Sequence, residues 1–162
     1  MLIAHLPAGY ILGRLARDRP GARSTSPDGL AWAVPLAMFA SILPDLDLFW
    51  FYFVDNRAIH HHRYWVHIPF FWMVVAMVIL PILWRSRWRD YALLFLAAIF
   101  LHLLMDTVGG GIMWGAPFNT HLYTLVEVPA TRSHFLLSFI FHWSFLLELA
   151  ICAVAGVMWW RR

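Results

Sequence analysis

A chain of 162 residues that is 62% hydrophobic, only 13% charged and holds ten tryptophans is too apolar for an ordinary soluble domain. Its twelve basic residues are all Arg and punctuate the apolar runs, so the net charge of +3 makes no nucleic-acid patch. The lone Cys152, flanked by apolar residues, excludes an intrachain disulfide and reads as a packing residue.

The expected architecture is all-α: one integral-membrane domain over 1–162, with about four transmembrane helices and a short N-terminal half-depth or re-entrant helix. The opening segment 3–13 contains Pro7, Gly9 and Gly13 and is too short to cross alone. Arginines follow it rather than precede it, so no cleaved signal peptide is expected. Residues 31–54, 68–84, 91–108 and 135–160 approach the length of about 20 apolar residues that a spanning helix needs. Arg14, Arg17, Arg19 and Arg23 precede the first span. Arg85, Arg87 and Arg89 join the second to the third, and Arg161 and Arg162 follow the fourth. Only Arg57, Arg63 and Arg132 fall on the other side, so the positive-inside rule makes the nine-arginine side cytoplasmic. Segment 18–30 is then a cytoplasmic loop, and the loop 109–134, opening on three glycines, faces outward.

Charged and imidazole groups cost roughly 2.5–3.5 kcal/mol each on insertion into hydrocarbon, so they face an interior and mark function. Asp45 and Asp106 lie roughly 21–23 Å from the inner surface of a core about 30 Å thick. His62 and His67 precede the second span from the outer side, and His142 lies seven residues into the fourth. Four separate segments thus deliver polar residues to one outer-leaflet layer. His102 and Asp106, four apart, share a helix face and can grip one ion. Asp45 and Asp47 would diverge on a regular helix, but Pro44 breaks the backbone ladder and lets both turn inward. Within His60-His61-His62, three consecutive rings cannot all face one centre, so His62 and His67 are the candidates and His60 and His61 are read as interfacial loop. Arg63 has the planar fork of an anion clamp. His121, Glu127 and His134 lie in the outer loop as weaker candidates, and Glu148 near the middle of the fourth span is a partner for a ligating His or a neutral buried acid.

Met1-Leu-Ile-Ala-His5-Leu-Pro-Ala-Gly, Pro44-Asp-Leu-Asp47, His62-Arg-x-x-x-His67 and His102-x-x-x-Asp106 occur in the order and membrane setting of the YdjM-like family, which the chain resembles over most of its length. That family is described as LexA-regulated inner-membrane proteins and expected metal-dependent hydrolases with some likeness to phospholipases. The resemblance implies a metal centre formed by His5, Asp45, Asp47, His62, His67, His102 and Asp106. Where the family pattern is similar to His-Arg-Gly-x-Thr-His-Ser, Tyr64, Val66 and Ile68 stand in this chain, so hydroxyl contacts to substrate do not carry over.

Imidazoles and carboxylates without thiolate suit zinc, with manganese or iron as further options, and seven candidates are enough for one or two ions. The expectation is a metal-dependent hydrolase of the bacterial inner membrane, multi-pass, with its site toward the outer leaflet. Asp47 and Arg63 would serve catalysis, and the substrate would be a lipid, lipid-linked or other phosphoester or ester. The rival readings are a divalent-metal or proton transporter using the same cluster, and haem held by paired His such as His102 and His142.

Overall fold

The computed structural model describes residues 3–21, 28–133 and 135–161; Arg23, His134 and Arg162 lie outside them. Among the described residues, seven α-helices run in order: α1 (His5–Asp18), α2 (Ala33–Ile42), α3 (Asp47–Phe53), α4 (Pro69–Leu83), α5 (Arg89–Gly109), α6 (Phe135–Ile140) and α7 (Phe145–Trp160). Single 3-10 turns occupy Pro44–Leu46, His61–Arg63 and Trp65–His67. Among the described residues there is no strand, only an isolated bridge between Ile112 and Tyr123.

α5 is the central element. Its buried residues, including Tyr91, Leu94, Ala98, Ile99, His102, Leu103 and Asp106, run its whole length, with α1, α2 and α4 packed on it. α1 also lies against α2 and α7. The α1–α2 contact is close because it is made of small residues, as in membrane helix pairs. Gly9 and Gly13 share one face of α1 and meet Ala33, Val34, Ala37, Met38 and Ser41. A Cβ on Gly13 would sit 2.6 Å from the Val34 Cα and 2.8 Å from the Ala33 carbonyl. At the N-terminal end of α5, the buried Asp90 pairs with Arg19 at 2.5 Å and Arg89 at 3.1 Å. The polar cluster sits at the opposite end, sixteen residues or about 24 Å of helix away.

The expected spans are only partly realised as continuous helices. Among the described residues, α5 alone is long and apolar enough to cross a membrane, and α2 with α3 adds one more if that pair, bent by 47° at Pro44, counts as one span. α4 has 15 residues, about 22 Å of helix against a core of about 30 Å. The expected fourth span is divided. Between α6 and α7 the backbone closes i→i−3 bonds, His142 N–H to Phe139 O and Phe145 N–H to His142 O. The His142 Nδ1 and Ser144 Oγ, 2.8 Å apart, pair locally there. Short polar side chains that bond nearby groups compete with the α ladder in this way. Phe49 and Phe53 on α3, Met77 and Ile82 on α4, and Leu146 and Val157 on α7 are exposed. Apolar surface on this scale needs a partner phase.

Candidate metal centre

The site is assembled where helices end. The last four carbonyls of a helix lack intrahelical donors and seek outside partners. At the end of α2, where Pro44 brings no N–H, the Ser41 carbonyl accepts from the His102 Nδ1 at 2.8 Å. Beyond the end of α5, the Gly110 and Gly111 carbonyls face the His62 Nδ1 at 3.1 and 2.9 Å. The loop that follows α5 satisfies its carbonyls too: Leu125 N–H donates to Thr107 O, and Val126 N–H to Val108 O. His67 turns its Nδ1 to the Asp47 carboxylate at 2.8 Å.

A carbonyl or a carboxylate can only accept, so in each neutral ring the proton resides on Nδ1 and the lone pair on Nε2. All three Nε2 atoms point inward. The His102 and His67 Nε2 atoms are 3.3 Å apart, and the His62 Nε2 is 3.4 Å from Asp106 Oδ2. Two lone pairs at such a distance coexist only around a shared cation. That cation is a proton or a metal ion.

The dimensions fit a metal. The Asp45 Oδ1, His67 Nε2, His102 Nε2 and Asp106 Oδ2 donors lie within 4.8 Å of one another. Five of the six edges of that tetrahedron are 3.0, 3.3, 3.7, 3.7 and 3.8 Å. Four ligands at about 2.1 Å around zinc give edges of about 3.4 Å. Burial presses the His62 imidazole down to about 3, which keeps it neutral. Burial acts on His67 in the same direction, but the flanking Asp45 and Asp47 carboxylates reverse it and lift the ring to about 9. A metal ion must therefore displace a proton from His67.

His5, the first residue of α1, caps the cluster. Its Nδ1 lies 3.2 Å from Asp45 Oδ2 and its Nε2 3.2 Å from Asp106 Oδ1, with its ring stacked on His102 at 4.0 Å. It is held there from α7. The buried Glu148 carboxylate accepts the Ile3 and Ala4 amides at 2.5 and 3.1 Å. Glu148 thus anchors the segment that delivers His5, a role for which no local sequence signal exists. Asp47 grips the far nitrogen of His67, so the two carboxylates beside Pro44 address opposite sides of one ring.

The reading of His61 as mere interfacial loop needs correction. The 3-10 turn brings its Nδ1 to 3.5 Å from Asp47 Oδ1, and its ring lies 4.2 Å from that of His62. His60 stays outside and accepts the His62 amide. Arg63 is exposed next to His62. His121 and His142 engage Tyr123 and Ser144 respectively, and neither joins the described cluster.

Gly110 offers a direct test. A Cβ there would collide with the His62 ring and come within 3.0 Å of its Nδ1, although the backbone at φ −106° accepts any residue. Gly110→Ala is expected to weaken zinc binding by roughly 10–100-fold, the range for loss of an outer partner, because the displaced His62 ring no longer sits 3.4 Å from Asp106, with little change in melting temperature. Unaltered affinity in a chelator-competition titration would show that His62 is not oriented by these carbonyls.

The family model described as YdjM inner membrane protein matches residues 1–162, the whole chain. No curated protein and no solved structure matches it.

Proposed function

Because the chain belongs to the YdjM family of inner membrane proteins, we propose that it is a membrane-bound metal-dependent hydrolase acting on phosphoester or ester bonds of a lipid or lipid-linked substrate. The observation that carries this reading is the set of inward Nε2 lone pairs, each fixed by an acceptor behind the ring, around two carboxylates. A metal-ligating His almost always gives its other ring N–H to such an acceptor. A bound divalent ion, zinc among the candidates, supplies Lewis acidity and lowers the pKa of a bound water.

The chain's own residues do the rest. His67, His102, Asp45 and Asp106 hold the ion. Asp47 and Ser41 keep the His67 and His102 rings aimed at it. Asp45, 28% exposed on its side chain, is the most accessible of the four and marks the open side. Arg63 has the bidentate geometry to hold an anionic group there. The exposed aromatics of α3, which begins at Asp47, supply an apolar approach from the bilayer.

Detergent-purified protein should hydrolyse a phosphate-containing lipid. Arg63→Ala should keep its metal and lose most of its turnover, and Arg63→Lys should recover little because an ammonium lacks the fork. Full turnover of Arg63→Ala on every lipid and phosphoester tried would remove the anion-clamp role and the phosphoester preference. The bend at Pro44 with carboxylates at the break also favours a second reading, metal or proton transport. Ion flux in proteoliposomes without any product would decide for it.

The same proposal includes four crossings, with residues 55–67 and 109–134 outside and residues 14–30 and 85–90 in the cytoplasm. It rests on the nine-to-three distribution of Arg. In a Cys152→Ser background, an impermeant thiol reagent should label a cysteine placed at Asn56 in intact cells and not one at Ser86. The reverse pattern would invert the orientation.

A further inference from the structure

A second group of donors shares His67 with the first, and it extends the metal-centre reading on which it rests. His61, His62 and His67 each offer a ring nitrogen within 4.8 Å of the other two. Asp47 spends one oxygen on His67. Its other oxygen, Oδ1, is buried and among the described residues has no hydrogen-bond partner; the same holds for the His61 Nδ1. These two atoms face each other at 3.5 Å, out of hydrogen-bonding geometry yet at the edge length of two ligands on one ion, about 3.4 Å for zinc. A buried acceptor or donor left without a partner is destabilising, and a charged one more so.

The arrangement at His62 has the same character. With its Nδ1 given to the Gly110 and Gly111 carbonyls, its Nε2 lone pair points toward Asp106 Oδ2. Asp106 Oδ2 is also the oxygen that closes the first tetrahedron against His102 at 3.0 Å. It therefore stands on the seam between the two donor groups, where a carboxylate can serve both.

We propose that the chain binds a second divalent cation at the group formed by the His61, His62 and His67 rings, with the Oδ1 of Asp47 beside His61, next to the ion of Asp45, His102 and Asp106 and with the His67 ring standing between the two. Paired ions about 3.5–4 Å apart clamp both the attacking and the leaving oxygen of a phosphoester. The second ion thus narrows the substrate class from esters at large to phosphoesters. His61 is the most exposed member, at 22% of its side chain, so this ion is the more readily exchanged.

The test uses full-length protein in detergent, loaded with zinc, desalted and analysed for metal per chain, with cobalt titration followed by visible absorption. Wild type should hold two ions and fill with cobalt in two phases. His61→Ala and the gentler His61→Gln should hold one and lose only the weaker phase, with elution volume and melting temperature unchanged. A wild-type ratio of one that His102→Ala abolishes would overturn the second site and leave the proposed hydrolase centre standing. Two ions retained in both folded His61 variants would also overturn it. A ratio of zero in wild type would remove both proposals together.

Discussion

Asp106→Ala is expected to abolish stable metal binding. This carboxylate, 1% exposed, lies on α5 with one oxygen 3.0 Å from His102 Nε2 and 3.4 Å from His62 Nε2, and the other 3.2 Å from His5 Nε2. Removing it takes a ligand from the first tetrahedron and leaves three imidazoles facing a vacated volume. The loss should exceed the roughly 10–100-fold that follows removal of an outer partner. Asp47→Asn makes the contrast. An amide can still face His67 but carries no charge, so affinity should fall within that 10–100-fold range while saturating zinc restores full occupancy. A chromophoric-chelator titration of both variants distinguishes these outcomes. Wild-type affinity in Asp106→Ala and in the isosteric Asp106→Asn would eliminate the centre as described.

The second large effect is on stability and comes from two glycines that are not themselves ligands. On an exposed helix, Gly→Ala is favourable by about 1 kcal/mol. At Gly9 and Gly13 the sign should reverse, because the added Cβ meets backbone, which cannot rotate away. At Gly9 it would lie 2.7 Å from the Ala37 carbonyl and 2.9 Å from the Met38 Cα. Overpacking of this kind costs about 1–3 kcal/mol, and its relief requires α1 to lift from α2. His5 is the first residue of α1, so both substitutions should also weaken metal binding without touching a ligand. Gly156→Ala is the control, since nothing lies within 4 Å of that position on α7; it should be neutral or stabilising. Melting temperatures in detergent read the difference. Gly9→Ala and Gly13→Ala variants as stable as wild type would mean that the α1–α2 contact is not close.

Local features of the chain carried much of this. Helices dominate because the apolar runs are long and almost free of strand alternation, and the 3.6-residue period alone puts His102 and Asp106 on one face. Pro44 announces the break that turns Asp45 and Asp47 inward, since its missing N–H acts within a few residues. The family relationship is likewise written in short ordered motifs.

Other features depend on contacts between residues distant in the chain. Glu148 meets the Ile3 amide across 145 positions, and no pattern in either segment anticipates the other. The break at residues 141–144 depends on His142 and Ser144 competing with an otherwise apolar helix, a balance of a few hydrogen bonds that hydropathy does not register. Consecutive residues on a regular element diverge, which on sequence alone puts His61 outside the site. The 3-10 turn instead lets His61 and His62 face two different carboxylates, Asp47 and Asp106. Above all, residue types and their order already name the groups that can bind a cation. Which nitrogen of each ring faces inward is settled by folding, because that choice belongs to the carbonyls at the ends of α2 and α5 and to Asp47, acceptors supplied by other parts of the fold.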